Sequence, residues 1–457
     1  MAPLLMARPR SRLLPHNDPQ VHHRPGKKTG KQMTDVDSPM FRFIHAADPH
    51  LDSPLQGLGT HDGAPVAVLR GATRRAFENL VRLAIEEAVH FVVIAGDLYD
   101  GDWKDYNTGL FFRSQMVRLK ASGIPVYLIA GNHDAASVIS KKLGLPDNVH
   151  VFSTRTAESF EVPGVPVVIH GRGFPNRAVP ENLALEYPAA IPGKFNVGLL
   201  HTSLTGLLGH DTYAPCSEQD LRSKGYAYWA LGHIHQPAVI SEDPWIVFAG
   251  NCQGRHARET GPRGCRLVTV NESGEVNSVE WRTLDVVRWQ DVQVNLDGLE
   301  KETAAVQRIR EALADSVEMA EGRLVAARIT LTGASPLHGS LHRERQRWRA
   351  EILGIAQDFG EDVVWIEQIK VATAPVYDLR ELAERDALTK IVLETLEKAT
   401  HDVSDMPDDI VEMLNLLPPE VRADVESDWH ADQRASLMSD VRAIILESLQ
   451  TSGGTTT

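Results

Sequence analysis

Cysteine is nearly absent: the 457 residues hold three, Cys216, Cys252 and Cys265, an odd number with no CxxC spacing. That excludes a disulfide framework and a thiolate zinc site, and leaves the three as small core residues of a protein in a reducing cytosol. Also missing is any apolar run near the roughly 20 residues that cross a bilayer. Stretches such as FVVIAG and VYLIAG end within a strand's length, so no membrane insertion is expected. A basic excess is lacking too, because the formal net charge is −14. The deficit is uneven: from residue 376 onward 18 Asp and Glu face 7 Lys and Arg, a balance of −11, which leaves −3 for the first 375 residues. The chain average therefore says little about the charge of any one surface.

An apolar fraction of 42% and a charged fraction of 24% describe a globular protein, and the length is too great for one ordinary core. Residues 1–40, rich in Pro, Arg and Lys, lack the continuous apolar segment of a secretory signal and are expected to be a disordered basic extension. A translation start at Met33 or Met40 explains them better than a transit peptide does.

Histidine is plentiful, with 19 in the chain, and ALGHIHQP at residues 230–237 places two of them two apart after an apolar stretch. On a strand those positions face the same way, so His233 and His235 can share a site, as metal ligands, as a catalytic pair or as an accident of composition. The surrounding pattern bears on the choice. FRFIHAA (41–47) reads as a buried strand ending at DPHLDSPL. ATRRAFENLVRLAIEEAV then sets Phe77, Leu80, Val81, Ala84, Ile85 and Ala88 on one helical face, before strand HFVVIAG and the loop DLYDGDW. A helix near 107–121 leads to strand PVYLIAG and NHDAAS. Strands VPVVIHG, FNVGLL, YAYWALG and WIVFAG follow, the last three running into HTSL, HIHQP and NCQGRHARE.

Each polar cluster thus sits just past the C-terminal end of a predicted strand, the edge where layered α/β folds bind ligands. The clusters contribute Asp48, His50, Asp97, Asn132, His133, His201, His233 and His235. Carboxylates, imidazoles and an amide oxygen suit divalent ions such as Mn²⁺, Fe²⁺ or Zn²⁺. They are too many for one ion. A two-metal site needs a bridging anion, and Asp97, central in the order and preceded by a glycine, is the candidate.

In that order and at those intervals, DPH, GDLYD, GNHD, LLHTS and GHIH resemble the signature DxH, GDxxD, GNHD/E, H and GHxH of the calcineurin-like metallophosphoesterase superfamily, over residues 41–285. The resemblance implies an α+β fold, a four-layer α/β/β/α sandwich with a small α+β capping domain and a helical C-terminal tail. It also implies that Asp48, His50, Asp97 and His235 hold one metal and Asp97, Asn132, His201 and His233 the other. His133 would face the phosphate as proton donor, with Asp134 orienting it. FIHAADPHLDSPL, IPVYLIAGNHD and YAYWALGHIHQP followed by GNCQGRHARETGPRG look like the DNA repair exonuclease branch, the SbcD and YhaO-like nuclease subunits. That branch implies two divalent ions, Mn²⁺ first and Fe²⁺, Zn²⁺ or Mg²⁺ after it, with DNA as substrate. A coiled-coil SMC-like ATPase as partner, a homodimer, and a cytoplasmic, nucleoid-associated location are further implications. Pro49 within DPH departs from the usual motif by removing a backbone donor, while both ligands remain.

Arg255, His256, Arg258 and Arg263 offer four potential phosphate contacts within nine residues, although Arg255 reads equally well as a solvated loop charge. Asp100 is read as fixing its loop through backbone amides, and His45, His90, His170 and His210 as structural histidines. Residues 286–375 alternate strand and helix, as a small α+β domain, which the resemblance implies caps the cleft and shapes DNA access; 376–457 read as acidic amphipathic helices. Three functions fit: a DNA nuclease working with an ATPase, a phosphatase or pyrophosphatase for small molecules, nucleotides or phosphoproteins, and a binding subunit with a vestigial site. The complete ligand set counts against the last.

Overall fold

In a computed structural model the described residues are 39–53, 65–100, 106–134, 144–204, 213–360, 362–376 and 387–402, with 441, 442 and 445. His210 and most of the acidic tail lie outside them.

The first unit is two sheets face to face. In chain order its elements are β1 (Pro39–Ala46), α1 (Val66–Arg70), α2 (Ala72–Glu86), β2 (Phe91–Ile94), α3 (Tyr106–Ala121), β3 (Val126–Leu128), β4 (Val149–Val151), β5 (Glu158–Glu161), β6 (Val167–Gly171), β7 (Phe195–His201), α4 (Glu218–Arg222), β8 (Tyr228–Gly232), β9 (Ala238–Glu242), β10 (Trp245–Phe248), β11 (Gly264–Asn271) and β12 (Val276–Thr283). One sheet runs β12-β11-β1-β2-β3-β4 and the other β5-β6-β7-β8-β10-β9. The strands β1 to β4 are mutually parallel, as are β6, β7, β8 and β10, so each sheet gathers several C-terminal strand ends along one edge.

Side chains alternate across this sandwich with the period of two that strands impose. Ile44 and Ala46 of β1, with Val92 and Ile94 of β2, pack under α2 and α3 through Phe77, Leu80, Val81 and Phe112. Phe41 and Phe43, with Phe91 and Val93, turn inward against Val197, Leu199, Tyr228 and Val247 of the second sheet. Phe43 stacks on Phe91 at 4.7 Å and meets Tyr228 edge-on at 5.3 Å, an aromatic bridge between the sheets. The outer side of the second sheet is covered by Phe174, Leu183, Tyr187 and Leu221, from loops, a 3₁₀ turn and the five-residue α4.

The second unit comprises β13 (Val287–Asn295), α5 (Glu302–Met319), β14 (Leu324–Ala334), α6 (His338–Arg343), α7 (Arg345–Phe359) and β15 (Val364–Ala374). Its three strands are mutually parallel, each joined to the next through helix, with one core between sheet and helices. A separate apolar cluster of Leu69, Ala72, Val287, Trp289, Leu324, Ala326 and Trp365 seals it against α1 and α2. At the junction the buried Asp285 carboxylate pairs with Arg288 at 2.6 Å and Arg323 at 2.8 Å, so the crossing between the units is braced by charge as well as by apolar contact. A last helix, α8 (Ala387–Asp402), lies in the acidic segment.

Candidate metal centre

The loops beyond β1, β2, β3, β7, β8 and β10 meet at one place because the parallel strands deliver their ends to the same edge. Backbone bonds lock the first two loops together: Asp48 N donates to Gly96 O at 3.1 Å and His50 N to Asp97 O at 3.0 Å. The turns are tight. Asp48, His50, Asp97 and His233 all hold positive φ, at 48°, 42°, 50° and 93°, a region that side chains other than glycine enter at a cost of about 1–3 kcal/mol. Four strained residues among seven candidate ligands indicate that side-chain direction, not backbone comfort, decided these turns.

All seven come together. Asp97 is central: its Oδ2 lies 3.8 Å from His50 Nε2 and 3.5 Å from His201 Nε2, and its Oδ1 accepts from His133 N at 2.9 Å. On one side His50 Nε2 faces His235 Nε2 at 3.2 Å; on the other His201 Nε2 faces Asn132 Oδ1 at 2.8 Å. The His233 ring sits 5.2 Å from that of His201, and His233 N donates to both oxygens of Asp48. Two triads, Asp48 with His50 and His235 and Asp48 with Asp97 and His201, have ligand atoms within 4.8 Å of one another.

Tautomers show what these contacts need. His235 Nδ1 lies 2.7 Å from Glu259 Oε1 and His201 Nδ1 lies 2.9 Å from Ala95 O, both acceptors, so in the neutral rings the proton is on Nδ1 and Nε2 carries a lone pair. At the His201–Asn132 contact a neutral His201 would set its Nε2 lone pair against an amide oxygen, an arrangement that a cation between them relieves. Charge gives the same answer. Burial pushes Asp48 up to about 6, while Asp97, despite burial, is held down to about 2 by His201 and His133. His201, which burial alone would depress, is raised to about 9 by Asp97 and Asp48. Burial, with Arg255 next, drives His50 far below its ordinary value. Buried carboxylates competing for one imidazolium fit divalent cations.

Asp134 corrects the expected roles. Its carboxylate accepts from Leu98 N, Tyr99 N and Gly131 N at 2.8–3.1 Å, tying two loops together, and burial raises it to about 6. It does not orient His133. That position belongs to Asp100, whose Oδ1 lies 2.7 Å from His133 Nδ1 and raises the imidazole above its ordinary value. The next residue in sequence projects away from its neighbour here, whereas Asp100 arrives from the adjacent strand's loop.

The arginine-rich loop also differs from expectation. Arg258 is exposed and lines a cavity of about 530 Å³ with Asp97, Asn132, His133, His233 and Gln236. His256 is exposed outside that lining and sits 3.5 Å from Glu259. Arg263 borders the cavity but is buried, its guanidinium donating to His235 O and Thr260 O at 2.5 and 2.8 Å. Arg255 is no solvated loop charge, since it stands between Asp100 and Glu259 at 3.5 and 3.4 Å. Glu259 and Tyr213 were not legible as site residues. No spacing marks Glu259 as the partner of His235, and Tyr213, 5.0 Å from the His233 ring, reaches the cavity only through the loop bonded to Ser203. Among the histidines expected to be structural, His45 bonds Tyr228 and Leu231, His90 bonds Arg42, and His170 bonds Ser159 and Asn196.

A family model described as calcineurin-like phosphoesterase matches residues 41–237, and another, described as the middle domain of metallophosphoesterase YhaO, matches 289–374. The uncharacterized metallophosphoesterase YhaO of Bacillus subtilis (strain 168) is 37% identical over 299 residues, spanning 64% of this chain and 72% of that protein. This chain belongs to the calcineurin-like metallophosphoesterase family. It is a metal-dependent phosphoesterase. DNA double-strand break repair protein Mre11 of Methanopyrus kandleri is 27% identical over 295 residues, 55% of this chain and 61% of that one. Its namesake in Sulfurisphaera tokodaii is 25% identical, over 59% of this chain and 69% of the relative. Among solved structures, a dimetal phosphatase from Danio rerio has a TM-score of 0.33 at 14% identity, covering 54% of this chain and 99% of that chain. Among the described residues no helix is long and apolar enough to cross a membrane.

Proposed function

We propose that this phosphoesterase is a two-metal phosphodiesterase that cleaves DNA in repair, as an exonuclease or endonuclease, in company with an SMC-like coiled-coil ATPase. One observation carries the reading: imidazole, carboxylate and amide oxygen and nitrogen atoms converge about Asp97 in the lining of a polar cavity. Asp48, His50, Asp97 and His235 would hold one ion, and Asp97, Asn132, His201 and His233 the other, with Mn²⁺ ahead of Fe²⁺, Zn²⁺ or Mg²⁺. When bound, such ions supply Lewis acidity toward phosphoryl oxygen and make water acidic enough to attack at neutral pH.

The chain's own groups do the rest. His133, whose imidazole Asp100 raises above its ordinary value, gives its proton to the leaving alkoxide. Glu259 holds His235 in the tautomer that turns Nε2 inward. Arg258, exposed at the rim, contacts backbone phosphate. The names of the archaeal relatives, DNA double-strand break repair proteins, support the choice of DNA. A homodimer and a cytoplasmic, nucleoid-associated location accord with this reading.

Labelled DNA with Mn²⁺, run beside a chromogenic phosphodiester and a phosphomonoester, tests it. DNA degradation abolished by EDTA or by His133→Ala is expected. Hydrolysis confined to phosphomonoesters would overturn it in favour of a metallophosphatase or pyrophosphatase.

A further inference from the structure

Arg255 does not line the cavity, although it belongs to the loop that closes it. Its side chain is 15% exposed, and its charge is already committed. Nη1 lies 3.5 Å from Asp100 Oδ2 and Nη2 lies 3.4 Å from Glu259 Oε1, while its backbone N–H donates to Glu259 Oε2 at 2.8 Å. Each carboxylate has a second task. Asp100 stands 2.7 Å from His133 Nδ1, and Glu259 stands 2.7 Å from His235 Nδ1. An unbroken chain therefore runs His133, Asp100, Arg255, Glu259, His235, from the proton donor on one loop to a candidate ligand on another.

The loop carrying Arg255 is itself firmly hung. Gln253 donates to Val287 O at 2.7 Å and accepts from Val286 N at 2.9 Å, and Trp289 Nε1 donates to Gly254 O at 2.9 Å. A guanidinium on such a support fixes the distance between the two carboxylates, and thereby between the two imidazoles, both of which line the cavity. A planar cation with several donors can face both carboxylates at once, whereas a single ammonium serves as one point charge.

We propose that Arg255 is a positioning residue that locks the His133 and His235 halves of the centre together, and not a ligand for substrate phosphate. The inference rests on the phosphoesterase reading of the same site. It separates two kinds of arginine on one loop: Arg258 touches substrate, Arg255 sets geometry.

The test uses the full chain with Mn²⁺ and the variants Arg255→Ala, Arg255→Lys and Arg258→Ala. Turnover is measured on a chromogenic phosphodiester, a chromogenic phosphomonoester and DNA; DNA affinity is measured without turnover, in EDTA, over a range of salt. For Arg255→Ala, kcat is expected to fall about tenfold or more on every substrate the wild type accepts, with KM within about twofold. The slope of log Kd against log salt should stay at the wild-type value. Added guanidinium ion should recover part of the lost kcat, and Arg255→Lys should resemble Arg255→Ala. Arg258→Ala should instead raise KM for DNA and flatten the salt slope by about 0.9, the value for one phosphate contact.

A salt slope flattened by Arg255→Ala, or a raised KM with kcat intact, overturns the proposal. Should Arg255→Ala lose its folded circular dichroism, Arg255→Lys decides: full kcat in that variant also overturns it. If the wild type hydrolyses the chromogenic esters but not DNA, the nuclease reading fails while the kcat comparison still reports on Arg255.

Discussion

A methyl group on Gly131 would stand 2.2 Å from Asp97 Oδ1, against the carboxylate at the middle of the centre. Gly131→Ala must therefore displace Asp97 while disturbing little of either core. The expected result is a folded protein, by circular dichroism, with turnover lowered about 100-fold, the usual cost of an ångström of misplacement at reacting groups. The proposed proton donor is tested through its support. Asp100→Asn removes the charge that raises His133, so kcat should fall about tenfold or more while Mn²⁺ affinity, read by calorimetry, stays close to wild type. A third residue makes stability depend on pH. Burial, partly offset by its bond to Leu231 O, lowers His45 from 6.5 to about 3, so the folded state keeps it neutral where the unfolded chain would protonate it. The stabilisation is present above pH 6.5 and is lost as pH falls toward 3, by about 1.4 kcal/mol per unit for this proton. In urea unfolding from pH 7.5 to 4.5, the stability gap between wild type and His45→Gln should hold down to about pH 6.5 and narrow below it.

Among elements, the segment from Asn251 to Arg263 has the widest reach, since Glu259 braces His235 while Trp289 of β13 holds the segment from the other side. Trp289 is buried beside Trp365, and Trp289→Ala should cost about 3–5 kcal/mol of stability. It should also lower kcat although no atom of the tryptophan borders the cavity; thermal melts and steady-state rates on one preparation check both. Much of this layer is legible in the sequence: long apolar strands are followed by polar clusters, and helix α2 announces itself by period. Strands β4, β5 and β9 do not. Three to five residues long, half-exposed and, in β5, carrying glutamates at both ends, they are edge or near-edge strands whose pairing comes from neighbours, not pattern. The candidate ligands are legible because each lies at or just past the end of a strand. The supports around it are less so, because Asp100 and Glu259 act across loops that only the folded sheets bring together.

For the molecule as a whole, ions that bind the folded centre and not the unfolded chain must stabilise it by mass action. At about 100 times the dissociation constant the gain is about 2.7 kcal/mol. Mn²⁺ should therefore raise the melting temperature of EDTA-treated wild type, and do so far less for Asp97→Asn, which weakens the carboxylate facing both halves. Scanning calorimetry with and without metal measures the difference.

The segment beneath His235 hangs from β13, β13 is secured by β14, and β14 in turn by β15, which ends at Ala374. A ribosome making this chain releases every candidate ligand, the last being His235, well before it releases the strands that steady them. The nascent chain thus carries its candidate ligands for some time without the strands that steady them.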